Sequence, residues 1–202
     1  MPRTKEQNKE IREKTKNLII DSALKLFAEK GFHSTSMSDI AQTAGVSKGL
    51  AYNYFDSKQH IVEAILQKVF EMFSQEYHPL TNEPDPYKKL ELLTNITFTW
   101  LKKSHEFWKM IFVFFFQPGI LENSSKFMKL FYDEIFLLIE SILKEIGVSN
   151  YFAEARIYGA LLDGVALDYI ADIENYPINE VMNEIKKKYS RENLDLLKHE
   201  LI

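Results

Sequence analysis

The segment GFHSTSMSDIAQTAGVSKGLAYNYFDSK, residues 31–58, decides the fold because its helix-stop and helix-start signals fall at consistent spacing. Gly31 suits the end of the preceding amphipathic segment, since a residue without Cβ adopts positive φ at little cost. Ser36 and Asp39 have capping-box spacing ahead of a short helix. Gly45 suits the tight turn that follows, and Ser47 is placed to cap a second helix. These signals predict a helix-turn-helix, and therefore DNA as a partner.

The second short helix is predicted to turn an apolar face inward and a mixed face outward. Ala51 and Phe55 share a face with the preceding Val46, so these three residues should be buried. The outer face keeps side chains that reach both phosphates and base edges, namely Lys48, Gly49, Leu50, Tyr52, Asn53 and Tyr54. Asp56 and Gln59 repeat the capping-box spacing and predict the next helix start. The alternative is an ordinary helical hairpin with exposed tyrosines.

Several stretches match the DNA-binding domain of a known family. They are ALKLF at 23–27, GF at 31–32, TS at 35–36, DIA at 39–41, AGVSKG at 44–49 and Y-x-YF-x-SK at 52–58. The chain resembles the tetracycline-repressor (TetR/AcrR) family over about residues 15–65. The resemblance implies a homodimeric transcriptional regulator whose first domain binds operator DNA and whose second domain binds a small effector.

One position pair departs from the family pattern. The family usually has Thr and then Leu where this chain has Leu50 and then Ala51. Because the side chain of Ala51 is smaller than leucine, a neighbour such as Phe27 or Met37 must fill the space beneath the helix, or a cavity remains. Leu50 would then face DNA as an apolar group suited to a thymine methyl.

The predicted DNA contacts fall into two chemical groups. Cations, phenols and hydroxyls suit phosphate oxygens, whereas small, apolar or amide groups suit base edges. The residues predicted to lie against phosphates are Lys48, Tyr52, Tyr54 and Lys58, with Thr35, Ser36 and Ser47 at the starts of the two motif helices. The residues predicted to approach bases are Gly49, Leu50 and Asn53.

The net charge of −4 separates into a basic first part and an acidic remainder. Residues 1–60 carry ten Lys and Arg against seven Asp and Glu, and residues 61–202 carry fifteen against 22. The positive excess therefore coincides with the helix-turn-helix, while the acidic remainder would be repelled by phosphate.

The sequence argues against several other classes of protein. It has no cysteine, which excludes disulfides and thiolate metal sites and suits a cytoplasmic location. Its longest apolar run, Met110 to Phe116, is far shorter than the ~20 residues that span a bilayer. No phosphate loop, nucleophile elbow or metal-ligand pair is present. Neither an enzyme activity nor a metal or cofactor is therefore predicted.

The predicted fold is all-α, with an N-terminal three-helix helix-turn-helix domain followed by a helical ligand-binding and dimerisation domain. Three domains are predicted: an N-terminal arm and DNA-binding domain at 1–56, a connecting helix at 57–77, and an effector-binding and dimerisation domain at 78–202. Helices are predicted at about 11–30, 57–77, 85–104, 105–117, 122–146, 150–172, 177–190 and 191–200, with the two short helices of the helix-turn-helix at about 37–55. Residues 1–10 are predicted to form a disordered arm, which either frays or tracks phosphate or a minor groove.

The second domain has an aromatic centre. From Phe98 to Phe136, twelve of 39 residues are Phe, Trp or Tyr. Such a centre is either a solid core or the wall of an apolar effector pocket with a few polar anchors. In the pocket interpretation, the expected ligand is lipophilic or aromatic. Its predicted contacts are Phe73, Asn95, Phe98, His105, Trp108, Phe112, Phe116, Phe131, Ile135, Tyr158 and Leu162.

Two late helices carry the predicted dimer interface. Residues 159–171 include two glycines in a helical context, each costing roughly 1 kcal/mol relative to Ala, which a close helix contact would justify. A second apolar stripe follows Pro177, and two such helices per subunit are able to form a four-helix interface. The predicted interface residues are Ala160, Leu161, Gly164, Leu167, Ala171, Ile178, Val181, Met182 and Ile185. The alternative is that both helices pack only inside their own subunit.

The function predicted from these features is a ligand-responsive homodimeric regulator that binds double-stranded operator DNA, most simply a repressor released by its effector. The resemblance implies that the effector acts by shifting the fourth helix and thus the spacing of the two DNA-binding domains. The alternative is a DNA-binding regulator or structural DNA-binding protein with a solid aromatic core and no effector.

Overall fold

The computed structural model describes residues 4–116, 120 and 125–198, with side chains from Asp133 onward in the last range. The regular structure in these residues consists of α-helices and one 3-10 helix, with no strand. The prediction of an all-α fold is confirmed, with a helix-turn-helix domain at the N-terminus and a helical domain after it.

The helices follow the predicted order closely. The first four are α1 (Lys5–Lys30), α2 (Met37–Thr43), α3 (Lys48–Tyr54) and α4 (Lys58–Tyr77). A 3-10 helix, His78–Asn82, leads to α5 (Pro86–Lys103) and α6 (His105–Phe115). The last four described helices are α7 (Ser125–Ile146), α8 (Tyr151–Ala171), α9 (Ile178–Lys188) and α10 (Arg191–Leu196). The predicted break at Pro118-Gly119 lies outside the described residues.

The chain divides into two compact units. One comprises Met1–Glu71 and Lys109–Met128, and the other comprises Met72–Trp108 and Lys129–Ile202. The divisions therefore fall within α4, α6 and α7 rather than at the helix ends that the sequence suggests as domain boundaries.

Helix α1 begins earlier than predicted. Thr4 Oγ1 accepts a hydrogen bond from the Gln7 backbone N–H at 3.2 Å, and Gln7 Oε1 accepts one from the Thr4 N–H at 3.0 Å. This capping box satisfies two donors that a helix start leaves unpaired. The prediction of a disordered arm is therefore corrected for residues 5–10, which are helical, while residues 1–3 lie outside the described residues.

The N-terminal core forms where the second half of α1 packs against α2. The exposed fraction is 0% for Ile19, Ala23 and Phe27 of α1 and for Ile40 of α2. Gly31 ends α1 with φ of 85°, and its N–H donates to the Phe27 carbonyl. The positive φ explains why this end requires glycine.

The start of α4 differs by one residue from the prediction. The Ser57 hydroxyl accepts from the His60 backbone N–H at 3.2 Å, so Ser57 occupies the capping position. Asp56 lies outside the helix and is exposed. The predicted box of Asp56 and Gln59 is wrong because the cap belongs to the serine that follows the aspartate.

In the second unit, α5 packs against α8 and α9. Leu90 and Phe98 of α5 and Tyr158 of α8 are fully buried. The Tyr158 hydroxyl lies 2.6 Å from Thr94 Oγ1 and donates to the Leu90 carbonyl oxygen at 3.3 Å. Burial raises the pKa of Tyr158, since ionisation would place an unsolvated charge in this core. This buried network fixes the register of α5 against α8.

Candidate DNA-binding and effector-binding sites

Helix α3 rests on its apolar face and presents its polar face to solvent. Ala51 is fully buried and Phe55 is 1% exposed, as predicted, whereas Val46, also predicted to be buried, is half-buried. Phe27 and Met37, which were expected to fill the space beneath Ala51, are also buried. Of the predicted outward residues, Tyr54 is half-buried and the others are exposed, namely Lys48, Gly49, Leu50, Tyr52 and Asn53.

A short turn sets the angle between α2 and α3. Gly45 has φ of 67°, a left-handed conformation that side chains disfavour. The Val46 N–H donates to the Ala41 carbonyl at 2.9 Å and closes the turn. Ser47 Oγ accepts from the Leu50 N–H at 3.1 Å, which confirms the predicted cap. Helix α3 therefore starts immediately after the turn, and its first residues, Lys48 and Gly49, are exposed.

The start of α2 uses the predicted capping box. Ser36 Oγ accepts from the Asp39 N–H at 3.1 Å, and Asp39 Oδ2 accepts from the Ser36 N–H at 2.8 Å. The Ser36 hydroxyl also donates to Asp39 Oδ2 at 2.6 Å. These bonds to Ser36 lower the pKa of the Asp39 carboxyl. Ser36 is exposed, so the cap leaves its outer side open to solvent.

Thr35 does not have the predicted position for a phosphate contact. It is 1% exposed, and its hydroxyl donates to the Gly31 carbonyl oxygen at 2.8 Å. A phosphate has no access to this hydroxyl. Thr35 instead satisfies a carbonyl in the loop after α1, and its predicted contact with DNA is withdrawn.

Lys58 has a structural role that the sequence did not indicate. Its Nζ donates to the Phe32 carbonyl oxygen at 2.6 Å and lies 4.5 Å from the centroid of the Phe32 ring. Partial burial lowers the pKa of this ammonium group. The start of α4 is thereby joined to the loop between α1 and α2. A phosphate contact by Lys58 would compete with this carbonyl.

An aromatic cluster of four residues lies within the second unit, formed by Phe73, Tyr77, Trp100 and Trp108. Phe73 stacks on Tyr77 with 4.0 Å between ring centroids, and Trp100 meets Trp108 edge to face at 4.6 Å. The Tyr77 hydroxyl lies 2.6 Å from Thr97 Oγ1, and burial raises the pKa of Tyr77. This aromatic cluster joins the C-terminal part of α4 to α5 and to the first turn of α6.

The predicted effector contacts differ in accessibility. Phe98 and Tyr158 are fully buried and Leu162 is 7% exposed, so these three residues belong to the core of the second unit. The half-buried residues of that unit are Phe73, Asn95, His105, Trp108 and Ile135. Phe112 and Phe116 belong to the first unit. The side chain of Phe131 lies outside the described residues.

Helix α8 exposes the face predicted for dimerisation. Ala160, Gly164 and Ala171 are exposed, Leu167 is 40% exposed, and Leu161 is half-buried. A Cβ added to Gly164 would meet no atom of the chain within 4 Å. These residues therefore form a shallow apolar surface strip, called the α8 strip below.

The other interior glycine of α8 has an explanation inside the chain. A Cβ on Gly159 would lie 2.7 Å from Cε1 of Phe136, closer than packed atoms approach. Gly159 is buried and lets the Phe136 ring lie against the α8 backbone. Its presence therefore reflects contact between α7 and α8 rather than contact with another subunit.

Two predicted interface residues of α9 are buried in their own chain. Ile178 is 7% exposed and Ile185 is 4% exposed, and α9 packs against α5 and α8. Their assignment to the dimer interface is corrected, because neither side chain is accessible to a partner. Val181 and Met182 are half-buried and keep accessible surface.

Comparison with known proteins finds a family match in the N-terminal part of the chain. Residues 19–65 match the family model described as bacterial regulatory proteins, tetR family. This N-terminal segment therefore matches the tetR family. The matched range contains the turn, α2 and α3, together with the α1 segment on which they pack.

Two named HTH-type regulators match different lengths of the chain. The transcriptional repressor KstR2 of Rhodococcus jostii is 33% identical over 88 residues, 43% of this chain and 43% of its own length. The biofilm operon negative regulator IcaR of Staphylococcus aureus is 27% identical over 142 residues, 70% of this chain and 72% of its own. The chain thus spans less than half the length of KstR2 and most of IcaR. Both relatives are named as transcriptional regulators.

A solved structure extends the similarity of fold beyond the matched segment. The transcriptional regulator FadR of Bacillus subtilis, solved in complex with stearoyl-CoA, superposes with a TM-score of 0.69 at 20% identity. The match covers 85% of this chain and 96% of that one. No described helix of the chain has the length and apolarity required to cross a membrane.

Two accessible residues of the candidate sites, Ile157 and Arg12, were not predicted from the sequence. Ile157 is 54% exposed and precedes Ala160 and Gly164 by three and seven positions, so it extends the α8 strip by one turn. The guanidinium of Arg12 lies 5.1 Å from the centroid of the Tyr54 ring on α3. Helical spacing from Ala160 would have identified Ile157. Arg12 was missed because it falls outside the apolar pattern.

Proposed function

We propose that the chain is a homodimeric, ligand-responsive transcriptional repressor that acts in the cytoplasm on a two-fold symmetric operator. The observation that carries this proposal is the exposed outer face of α3, held over the buried Ala51 and Phe55 in a TetR-family domain. The names of KstR2 and IcaR, a repressor and a negative regulator, support repression.

The chemistry of α3 fits the proposed recognition of DNA. Lys48 and Tyr52 provide a cation and a phenol for phosphate oxygens, and Asn53 provides an amide suited to adenine. Gly49 has no side chain, which would allow the backbone to approach a base edge. Tyr54, Ser36 and Ser47 are proposed to add contacts at the edges of this surface.

Selection of DNA by the full chain tests this function. A pool of random-sequence duplexes is bound to the purified protein at about 0.15 M salt and sequenced over successive rounds. We expect enrichment of one motif with two-fold symmetry and half-sites about one helical turn apart, since a dimer presents two α3 helices. Uniform recovery of all sequences would overturn sequence-specific binding. The enriched duplex is the operator used in the experiments below.

The two glycines of the motif give a matched pair of substitutions. Gly45→Ala should lower the free energy of unfolding by about 1–2 kcal/mol, because Ala disfavours the positive φ. Gly49→Ala should raise it by about 0.5–1 kcal/mol, because Gly49 lies inside a helix with open space around its Cα. Gly49→Ala should nevertheless weaken operator binding about tenfold by separating the backbone from the bases.

Urea denaturation and operator titration of both variants measure the two effects separately. If Gly49→Ala leaves operator affinity unchanged, the proposed close approach of α3 to the bases is wrong.

The proposed effector is a lipophilic or aromatic molecule bound in the second unit. Half-buried aromatic and polar side chains of that unit support this, since apolar walls with a few polar groups are typical of ligand sites. The stearoyl-CoA complex of B. subtilis FadR supports a long acyl chain as the first ligand to try. Helix α4 contributes residues to both units, and movement of α4 is the proposed route from effector to operator.

Both tryptophans lie in the aromatic cluster and report on ligand binding. We expect stearoyl-CoA to change their fluorescence and to weaken operator binding by roughly five- to 150-fold, a coupling of ~1–3 kcal/mol. Stearic acid and free CoA are tested beside it to separate the acyl chain from the nucleotide. If neither these nor a broad apolar panel changes fluorescence or DNA binding, the effector proposal fails.

Complete burial of Phe98 and Tyr158 favours a second candidate, a DNA-binding regulator with a solid aromatic core. This candidate binds the operator with the same affinity in the presence of every ligand. The ligand titration above therefore separates the two functions.

A further inference from the structure

The first half of α1 extends beyond the core that the second half forms. The helix has 26 residues, a length of about 39 Å at 1.5 Å per residue. Its buried positions begin at Ile19, and residues 5–14 are all exposed. Burial in the described chain therefore does not account for helical structure in this segment.

The sequence nevertheless stabilises this segment as a helix. Thr4 and Gln7 form both bonds of a capping box, and Lys14 pairs with Glu10 one turn earlier at 3.0 Å. Such local interactions are the ones that support an exposed helix. The segment is thus built as a rigid extension of α1.

One face of the extension is basic. It comprises Lys5, Lys9, Arg12 and Lys16, which follow one another at spacings of four, three and four residues and so share one side of the helix. We call this face the basic stripe. The segment's three acidic residues each follow a stripe residue by one position, a rotation of roughly 100° around the axis. They therefore lie to one side and leave the stripe positive.

The basic stripe lies on the same side of α1 as α3. Continuing the spacing from Lys16 leads to Ile19, Ala23 and Phe27, the face of α1 that packs in the helix-turn-helix core. Arg12 itself lies over the Tyr54 ring of α3, 5.1 Å from its centroid. This cation-π contact places the basic stripe directly beside α3, the proposed DNA-recognition helix.

We propose that the basic stripe binds phosphates of duplex DNA that flank the half-site contacted by α3. This inference rests on the proposed function, because α3 must lie on DNA for the stripe to reach it. Lysine ammonium groups neutralise phosphates and release condensed counterions, which raises affinity without reading sequence. The rigid helix keeps these charges in place before binding, so little ordering is required on association.

The test removes two charges from the stripe or two from the opposite side of α1. The stripe variant is Lys5→Gln with Lys9→Gln, and the control is Lys14→Gln with Lys25→Gln. Lys14 and Lys25 are exposed, pair with Glu10 and Glu29, and lie about half a turn away from the stripe. Both double variants change the net charge equally, so a difference between them reports position.

Operator affinity is measured from 50 to 300 mM salt, with circular dichroism to verify equal helix content. Two duplexes are compared, the enriched motif alone and the same motif extended by about 10 base pairs at each end. On the extended duplex, the stripe variant should lower the slope of log affinity against log salt by about 1.8, or 0.9 per lost phosphate contact. Its preference for the operator over scrambled DNA should stay unchanged.

The control variant should keep the wild-type slope, and trimming the duplex should reduce the wild-type slope towards that of the stripe variant. Equal slopes for the stripe and control variants on the extended duplex would overturn this inference while leaving operator recognition intact. A wild-type chain that prefers no sequence would instead overturn the proposed function, and the flanking contact with it.

Discussion

Asn53→Ala should relax the sequence preference of operator binding, whereas Lys48→Ala should weaken binding to all sequences and lower the salt slope by about 1. The reason is chemical, since an amide discriminates between base edges and an ammonium group neutralises phosphate. Each substitution should cost about 1–3 kcal/mol, and the two together about 2–6 kcal/mol, which is roughly 30-fold or more in affinity. Titration of the operator and of its single-base variants at several salt concentrations measures both effects.

Both side chains are exposed, so the fold should tolerate their loss within about 0.5 kcal/mol. Matched controls are Asn17→Ala and Lys25→Ala, which remove the same groups from exposed positions on α1. Neither control should change DNA binding by more than about twofold. If Lys48→Ala and Asn53→Ala behave as these controls do, α3 is not the reading helix.

Leu167→Glu should convert the protein from dimer to monomer and lower operator affinity by about 100-fold or more. A carboxylate in the centre of the α8 strip would have to be desolvated against an apolar partner surface. Loss of the second DNA-binding domain removes the avidity of paired sites, which is worth 10²–10⁴. Sedimentation equilibrium and operator titration measure the two consequences.

Leu196→Glu is the matched control, because Leu196 is 67% exposed on α10 and lies outside the proposed interface. It should leave both mass and affinity unchanged. Leu167 is 40% exposed in the single chain, so the variant monomer should remain folded. A Leu167→Glu protein that stays dimeric with full affinity would exclude the α8 strip as the interface.

Helix starts were predictable where the deciding residues are close in sequence. Ser36 with Asp39 and Ser47 with Leu50 form bonds across three residues, and both caps occur as predicted. Thr4 and Gln7 carry the same signal, yet apolar periodicity alone places the start of α1 later. Asp56 and Ser57 are adjacent capping residues, and only the path of the chain into α4 decides between them.

The environment of the predicted site residues depends on contacts between distant parts of the chain. Lys58 reaches the carbonyl of Phe32, 26 positions earlier, which no local pattern reveals. Thr35 has a hydroxyl suited to phosphate, but the core of the first unit encloses it. An apolar stripe such as that of Ile178 and Ile185 shows which face is buried, whereas tertiary packing decides that their own subunit covers it.

Native mass spectrometry of the protein mixed with its enriched duplex tests the central claim most directly. Two chains bound to one duplex, with no larger complexes at excess protein, is the predicted result for a dimer on a two-fold operator. A complex of one chain per duplex, or a ladder of increasing numbers of chains on the same duplex, would contradict it.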